Sequence, residues 1–155
     1  MPVVNELIKK ETDGSLSFGN YELAVKSKVV DFKYEGDLYK VKTYKDITKL
    51  ERNGVFVYES VPGTAVNGFS FTEKGVQFVV EGTGNPQITV GLEADSEYKV
   101  LIDSVVVGRI QTNLGGKLVF STELGEKGKA FVTIIRVEWI RYTIRVGSFW
   151  LGKIV

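Results

Sequence analysis

The 155-residue chain is 43% hydrophobic and 25% charged, a balance that excludes disorder and suits one globular domain, or two small β-units sharing a core. Its 20 basic and 19 acidic residues leave a net charge of +1, so no global field draws in nucleic acid or an anionic membrane. Histidine and cysteine are both absent, which excludes disulfides, thiol nucleophiles, Ser-His-Asp and Cys-His catalysis, and the ligands of a zinc hydrolase.

The N-terminal stretch Met1–Asp13 has no apolar run of signal-peptide length, so the cytoplasm is the expected compartment, with leaderless export left open. No stretch approaches about 18 uninterrupted apolar residues, so no spanning helix is expected. Residues 2–12 carry the one plausible helical turn or two, with Val4, Leu7 and Ile8 on one side.

Asp13–Gly14 is a turn signal, and a β pattern follows it. Strands are predicted near 15–23, 28–34, 37–44, 54–60, 65–72, 75–81, 86–92, 97–103, 105–112, 117–123 and 129–137. Turn signals between them include Arg52–Asn53–Gly54, Pro62–Gly63 and Gly115–Gly116. Spacings of 8–12 residues point to a sandwich or barrel. Asp46–Glu51 breaks the alternation and reads as one helical turn capped by Asp46.

The clearest segment is 98–120. Tyr98, Val100, Ile102, Ile110, Leu118 and Phe120 recur at period two, interrupted at Asp103–Ser104 and Gly115–Gly116. They are expected to face the core. The tail from Trp139 to Val155 contains no acidic residue, yet holds both tryptophans and two of the five arginines. Ile140, Tyr142, Ile144 and Val146 alternate there. The tail reads either as a terminal strand or as an appended segment that promotes association.

Sequence motifs carry little chemistry. Gly82 and Gly84 lack the third glycine and the helix of a dinucleotide fingerprint, and Gly115–Leu118 lacks the spacing of a phosphate loop. Glu22, Asp31, Glu59, Glu81 and Asp103 lie on or beside predicted strands, where two converging carboxyls could support glycoside hydrolysis. Glu93, Asp95, Glu97 and Asp103 are oxygen donors near loops, without a calcium-loop motif. No metal or cofactor is expected.

Seven lysines between Lys26 and Lys49 are interleaved with Phe32, Tyr34, Tyr39 and Tyr44. Aromatics beside basic groups can bind single-stranded nucleic acid. Four carboxylates (Asp31, Glu35, Asp37 and Asp46) dilute that charge, so no nucleic-acid partner is expected. Trp139, Tyr142 and Trp150 are candidates for a sugar-stacking face.

The hairpin at 98–120 resembles accessory β-sandwich modules of bacterial polysaccharide enzymes, which usually carry Asp-Gly where this chain has Asp103–Ser104. Residues 1 to about 137 resemble short bacterial proteins labelled endosialidase, through Gly14–Tyr21, Ile47–Gly54, Phe56–Asn67 and the same hairpin. That resemblance implies cleavage of polysialic acid, but no catalytic motif matches, so no catalytic residue carries over.

The expected fold is all-β and mostly antiparallel, with at most one short helix. Residues 1–62 are expected as an N-terminal β-unit, 63–137 as a β-sandwich module, and 138–155 as a terminal strand or appended tail. The function expected is a non-catalytic binding or interaction module. Its partner would be a protein or a second copy of the chain, with polysaccharide the next class and a membrane not expected. The alternative is a small endosialidase-like enzyme working through carboxylates.

Overall fold

A computed structural model describes residues 3–137. Among them it has thirteen strands and no helix. The strands are β1 (Ile8–Lys10), β2 (Leu16–Phe18), β3 (Ser27–Tyr34), β4 (Asp37–Tyr44), β5 (Ile47–Arg52), β6 (Val55–Val61) and β7 (Thr64–Thr72). They continue with β8 (Gly75–Gly82), β9 (Gln87–Gly91), β10 (Glu97–Ile102), β11 (Val105–Gln111), β12 (Lys117–Ser121) and β13 (Lys129–Arg136). One sheet has the order β1-β2-β7-β8-β13-β10-β11, and the other β12-β9-β6-β5-β4-β3. All strand pairs in the two sheets are antiparallel. The result is the all-β sandwich that the turn spacing implied.

Inward-facing residues of both sheets meet in one core. At its centre the rings of Phe18 (β2), Phe69 (β7) and Phe78 (β8) from one sheet meet Tyr58 (β6) from the other. Phe18 stands edge-on to Tyr58 at 5.3 Å, Tyr58 edge-on to Phe78 at 5.8 Å, and Phe69 stacks on Phe78 at 5.4 Å. Edge-on and offset geometries suit the ring quadrupoles and add to the gain from burial.

Four sequence expectations need correction. Residues 2–12 form no helix. Leu7 takes a positive φ of 73°, which ends any helical path, and Ile8–Lys10 pairs with β2. Val4 and Ile8 are buried all the same. Asp46–Glu51 is also not helical: β5 runs through it. Its inward residues are Thr48 and Leu50, while Ile47, Lys49 and Glu51 face outward half-buried. A buried threonine and an outward isoleucine disguise a regular period of two.

The third correction concerns the boundary near residue 62. β2 pairs with β7, and β6 pairs with β9, so strands from 1–62 and from 63–137 interleave in both sheets and share one core. The fourth concerns the inward face of the 98–120 segment. Tyr98, Val100, Leu118 and Phe120 are buried in the core, whereas Ile102, at the end of β10, and Ile110, on the edge strand β11, pack against its margin half-buried. The tail and its candidates Trp139, Tyr142 and Trp150 lie outside the described residues.

The chain runs up and down, so successive connections alternate between the two ends of the sandwich. One end collects the connections β2–β3, β4–β5, β6–β7, β8–β9, β10–β11 and β12–β13. A buried hydroxyl network fastens it. Thr64 Oγ1 lies 2.8 Å from Tyr58 Oη and 2.7 Å from Ser60 Oγ, while Thr48 Oγ1 donates to the Thr64 carbonyl at 2.8 Å and lies 2.8 Å from Thr43 Oγ1. These polar groups are wholly buried, and each is satisfied, as burial demands.

Candidate functional site

The other end collects the connections β1–β2, β3–β4, β5–β6, β7–β8, β9–β10 and β11–β12. Two clefts lie there side by side. The first has a volume of about 510 Å³ and is lined by Asp13, Gly14, Ser15, Tyr34, Glu35, Asp37, Tyr39, Arg52, Ser70 and Phe71. The second, about 340 Å³, is lined by Arg52 and Phe71 again, with Phe56, Glu73, Lys74, Glu93, Tyr98 and Arg136 among its walls. Arg52 and Phe71 belong to both, so the two clefts adjoin at this pair and form a groove interrupted there. A binding surface made of turns on a rigid β-scaffold is a common place for function.

Arg52 is the hinge of this groove. It ends β5, where Asn53 (φ 52°) and Gly54 (φ 80°) make the tight turn into β6. Two positive φ values in a two-residue hairpin follow the strand twist, and Asn-Gly suits them. The turn aims the Arg52 guanidinium over the Phe71 ring, 5.3 Å from its centroid, a favourable cation–π approach. Burial raises the pKa of the neighbouring Tyr39 phenol, and Arg52 opposes that rise. Phe71 is 41% exposed, so part of its ring remains open to solvent in the groove.

The floor of the first cleft is held by its tyrosines. Tyr34 Oη donates to the Gly14 carbonyl at 2.6 Å, and its ring meets Tyr39 edge-on at 5.5 Å. Ser15 N–H and Ser15 Oγ both donate to Asp13 Oδ1, at 2.9 and 2.7 Å. The hydroxyl bond is the larger cause of a lowered Asp13 pKa. Asp13 is thus held as a carboxylate, an acceptor and not a proton donor. Asp37 Oδ1 accepts from Asn53 Nδ2 at 2.9 Å, tying the β3–β4 turn to the β5–β6 turn.

In the second cleft, the Glu93 N–H donates to Tyr98 Oη at 3.2 Å and Arg136 Nη2 donates to Ser96 Oγ at 3.2 Å. Lys117 rests over the Phe56 ring, 4.6 Å from its centroid. The Gly115–Gly116 turn closes this side. Gly116 has φ 80°, and a side chain there would strike the Leu92 carbonyl, which itself lies in the wall. The groove is therefore acidic at one end, from Asp13, Glu35 and Asp37, and richer in cations at the other, from Arg52, Lys74 and Arg136.

The carboxylates singled out in the sequence are elsewhere. Glu22, Glu59, Glu81, Asp31 and Asp103 line neither cleft. Glu22 and Glu81 do come near each other through Tyr21, whose phenol is pushed up by burial first and then by Glu81 and Glu22. Asp31 is an exposed residue of β3 with φ 57°. Asp103 Oδ1 accepts from the Phe131 N–H at 2.9 Å. Of the loop oxygen donors, Asp95 accepts from Gln111 Nε2 at 2.9 Å, and Glu97 meets Arg109 at 3.3 Å. Among the described residues no three acidic side chains gather in a cluster able to hold a metal ion.

The lysine-rich stretch 26–49 forms β3, β4 and part of β5. Tyr34 and Tyr39 are buried, so their rings are turned away from the outward Lys40, Lys42 and Lys49, while Tyr44 lies half-buried on that lysine face with Lys26 over its ring at 5.7 Å. Among the described residues no helix is long and apolar enough to cross a membrane. No family model matches the chain, and neither the curated proteins nor the solved structures contain a match.

Proposed function

We propose that the protein is a non-catalytic binding module that holds an extended, hydroxyl-rich polymer, a polysaccharide chain, in the groove at one end of the sandwich. The observation that carries this reading is the adjacency of two open clefts on either side of Arg52 and Phe71. Two adjoining open clefts suit a chain better than a compact small molecule, which favours an enclosed pocket. Its walls mix carboxylate acceptors, guanidinium donors and an exposed ring face, the groups that hydroxyls and apolar sugar faces require.

The test is titration with a panel of neutral and acidic polysaccharides, followed by amide chemical shifts. Shifts should concentrate at the β1–β2, β3–β4, β5–β6 and β7–β8 turns. Arg52→Ala should weaken binding roughly tenfold, because a hydrogen bond to a charged group contributes about 1.5–3 kcal/mol. Shifts confined to other surfaces, or no binding by any member, would refute the proposal.

A second reading draws support from the carboxylates Asp13, Glu35 and Asp37 beside Arg52. These are the ingredients of a small carbohydrate-active enzyme of the endosialidase-like type. The lowered pKa of Asp13, set by the Ser15 hydroxyl, suits it to an ionised role as nucleophile or base in such a site. New reducing ends from polysialic acid, abolished by Glu35→Gln or Asp37→Asn, would favour the enzyme over the module.

A further inference from the structure

β11 is the outermost strand of the seven-stranded sheet: β10 lies on one side, and no strand among the described residues lies on the other. An edge strand offers a row of unpaired N–H and C=O groups to any other strand. Natural sheets guard such rows with short length, lysine, proline or bulges. Three of the four edges here are guarded. β1 has only three residues. β3 carries Lys28, Asp31 and Lys33, and its register shifts between Val29 and Phe32. β12 is five residues long and opens on Lys117.

β11 differs. It has seven residues, with neither lysine nor proline. Its one charge, Arg109, meets Glu97 on β10 at 3.3 Å. Val105, Val106 and Val107 are 63%, 53% and 55% exposed. A single guard remains, the register shift that leaves Val107 without an opposite residue on β10. From Gly108 to Gln111 the pairing with β10 is regular.

We propose that this edge is an interface with a second copy of the chain. Two β11 strands run antiparallel about a two-fold axis and join the two seven-stranded sheets into one. Charge compatibility supports the choice of occupant. Arg109 is the only charged residue in Val105–Gln111, so in an antiparallel pair it faces an uncharged residue in every register except the one centred on itself. The exposed valines supply the β-branched side chains that stabilise cross-strand pairs. This inference stands apart from the groove, which lies at the end of the sandwich and leaves the side edge free.

Sedimentation equilibrium of the full chain over a wide concentration range tests it, together with amide hydrogen exchange. The mass should rise from monomer to dimer, and β11 amides should exchange more slowly as concentration rises. Val106→Lys should raise the dissociation constant roughly tenfold or more, because it places two desolvated lysines in a strand pair that already holds two arginines, while circular dichroism and the cooperative melt stay unchanged. Should that variant unfold, Val107→Lys, at the residue with no opposite partner, repeats the test. A monomer at every concentration would overturn the proposal, as would a dimer that survives the substitution. So would β11 amides equally protected in the dilute monomer, since the chain itself would then cover the edge.

Discussion

Thr64 is the most informative residue to perturb, because it joins both sheets through polar groups inside an apolar core. Its Oγ1 lies 2.8 Å from Tyr58 Oη and 2.7 Å from Ser60 Oγ, and all three residues are fully buried. Thr64→Val keeps the shape and removes the hydroxyl. Two hydrogen bonds are lost, at about 0.5–1.5 kcal/mol net each. The hydroxyls of Tyr58 and Ser60 lose a partner, and either one left orphaned adds about 1–3 kcal/mol. With one hydroxyl orphaned, the expected loss is therefore about 2–6 kcal/mol. Urea denaturation measures it as a lower midpoint at unchanged slope. Tyr58→Phe alone should cost about 1–2 kcal/mol. The double variant should cost less than the sum, because each change removes the same bond. A Thr64→Val loss below about 0.5 kcal/mol, the level of an ordinary surface substitution, or strict additivity in the cycle, would refute a cooperative buried network.

Three further outcomes follow from the same geometry. Asp103 and Ser104 both have positive φ, 52° and 70°, in the β10–β11 turn, where glycine is favoured second, so Ser104→Gly should stabilise by roughly 0.5–1 kcal/mol in thermal melts. Burial raises the Tyr58 phenol pKa above its ordinary value of 10.0. The folded state therefore keeps the proton more tightly, and its advantage, complete below about pH 10, declines as pH rises toward the folded value; Tyr58→Phe should flatten that alkaline decline. Ile134, with no exposure in β13, should cost about 2–5 kcal/mol as Ile134→Ala, while half-buried Ile102→Ala should cost clearly less; equal losses in chemical denaturation would place Ile102 in the core proper.

Much of the fold was legible because most strands bury apolar residues at period two. Tyr39 and Val41 in β4, Val76, Phe78 and Val80 in β8, and Leu118 and Phe120 in β12 all obey it. The rule failed where the inward residue is polar. In β5 the inward Thr48 satisfies its hydroxyl through Thr43 and the Thr64 carbonyl, partners that come from other strands and leave no local trace. β1 failed for another reason: three residues give too short a pattern, and pairing with β2 overrides the helical spacing of Val4, Leu7 and Ile8. The pairing of β2 with β7 and β6 with β9 is equally non-local, and so the boundary near residue 62 looked like a division between units.

The groove was harder to see for a reason that follows from those same misses. In an up-and-down sandwich each strand reverses the chain, so the parity of a connection decides the end of the fold at which it lies. Omitting β5 joins β4 to β6 and shifts the parity of the Arg52–Asn53–Gly54 turn, the very connection that places Arg52 beside Phe71. Omitting β1 removes the turn that brings Asp13 and Ser15 to the first cleft. Glu22, Glu81 and Asp103 stood out for their carboxyls near strands, but their connections have the opposite parity and lie at the far end. A correct strand count would have grouped the turns 11–15, 35–36, 53–54, 73–74, 92–96 and 112–116 at one end before any side chain was placed. The arginine beside the third of them and Lys74 within the fourth would then have been the natural cationic candidates, because both sit at tight turns in the middle of that set.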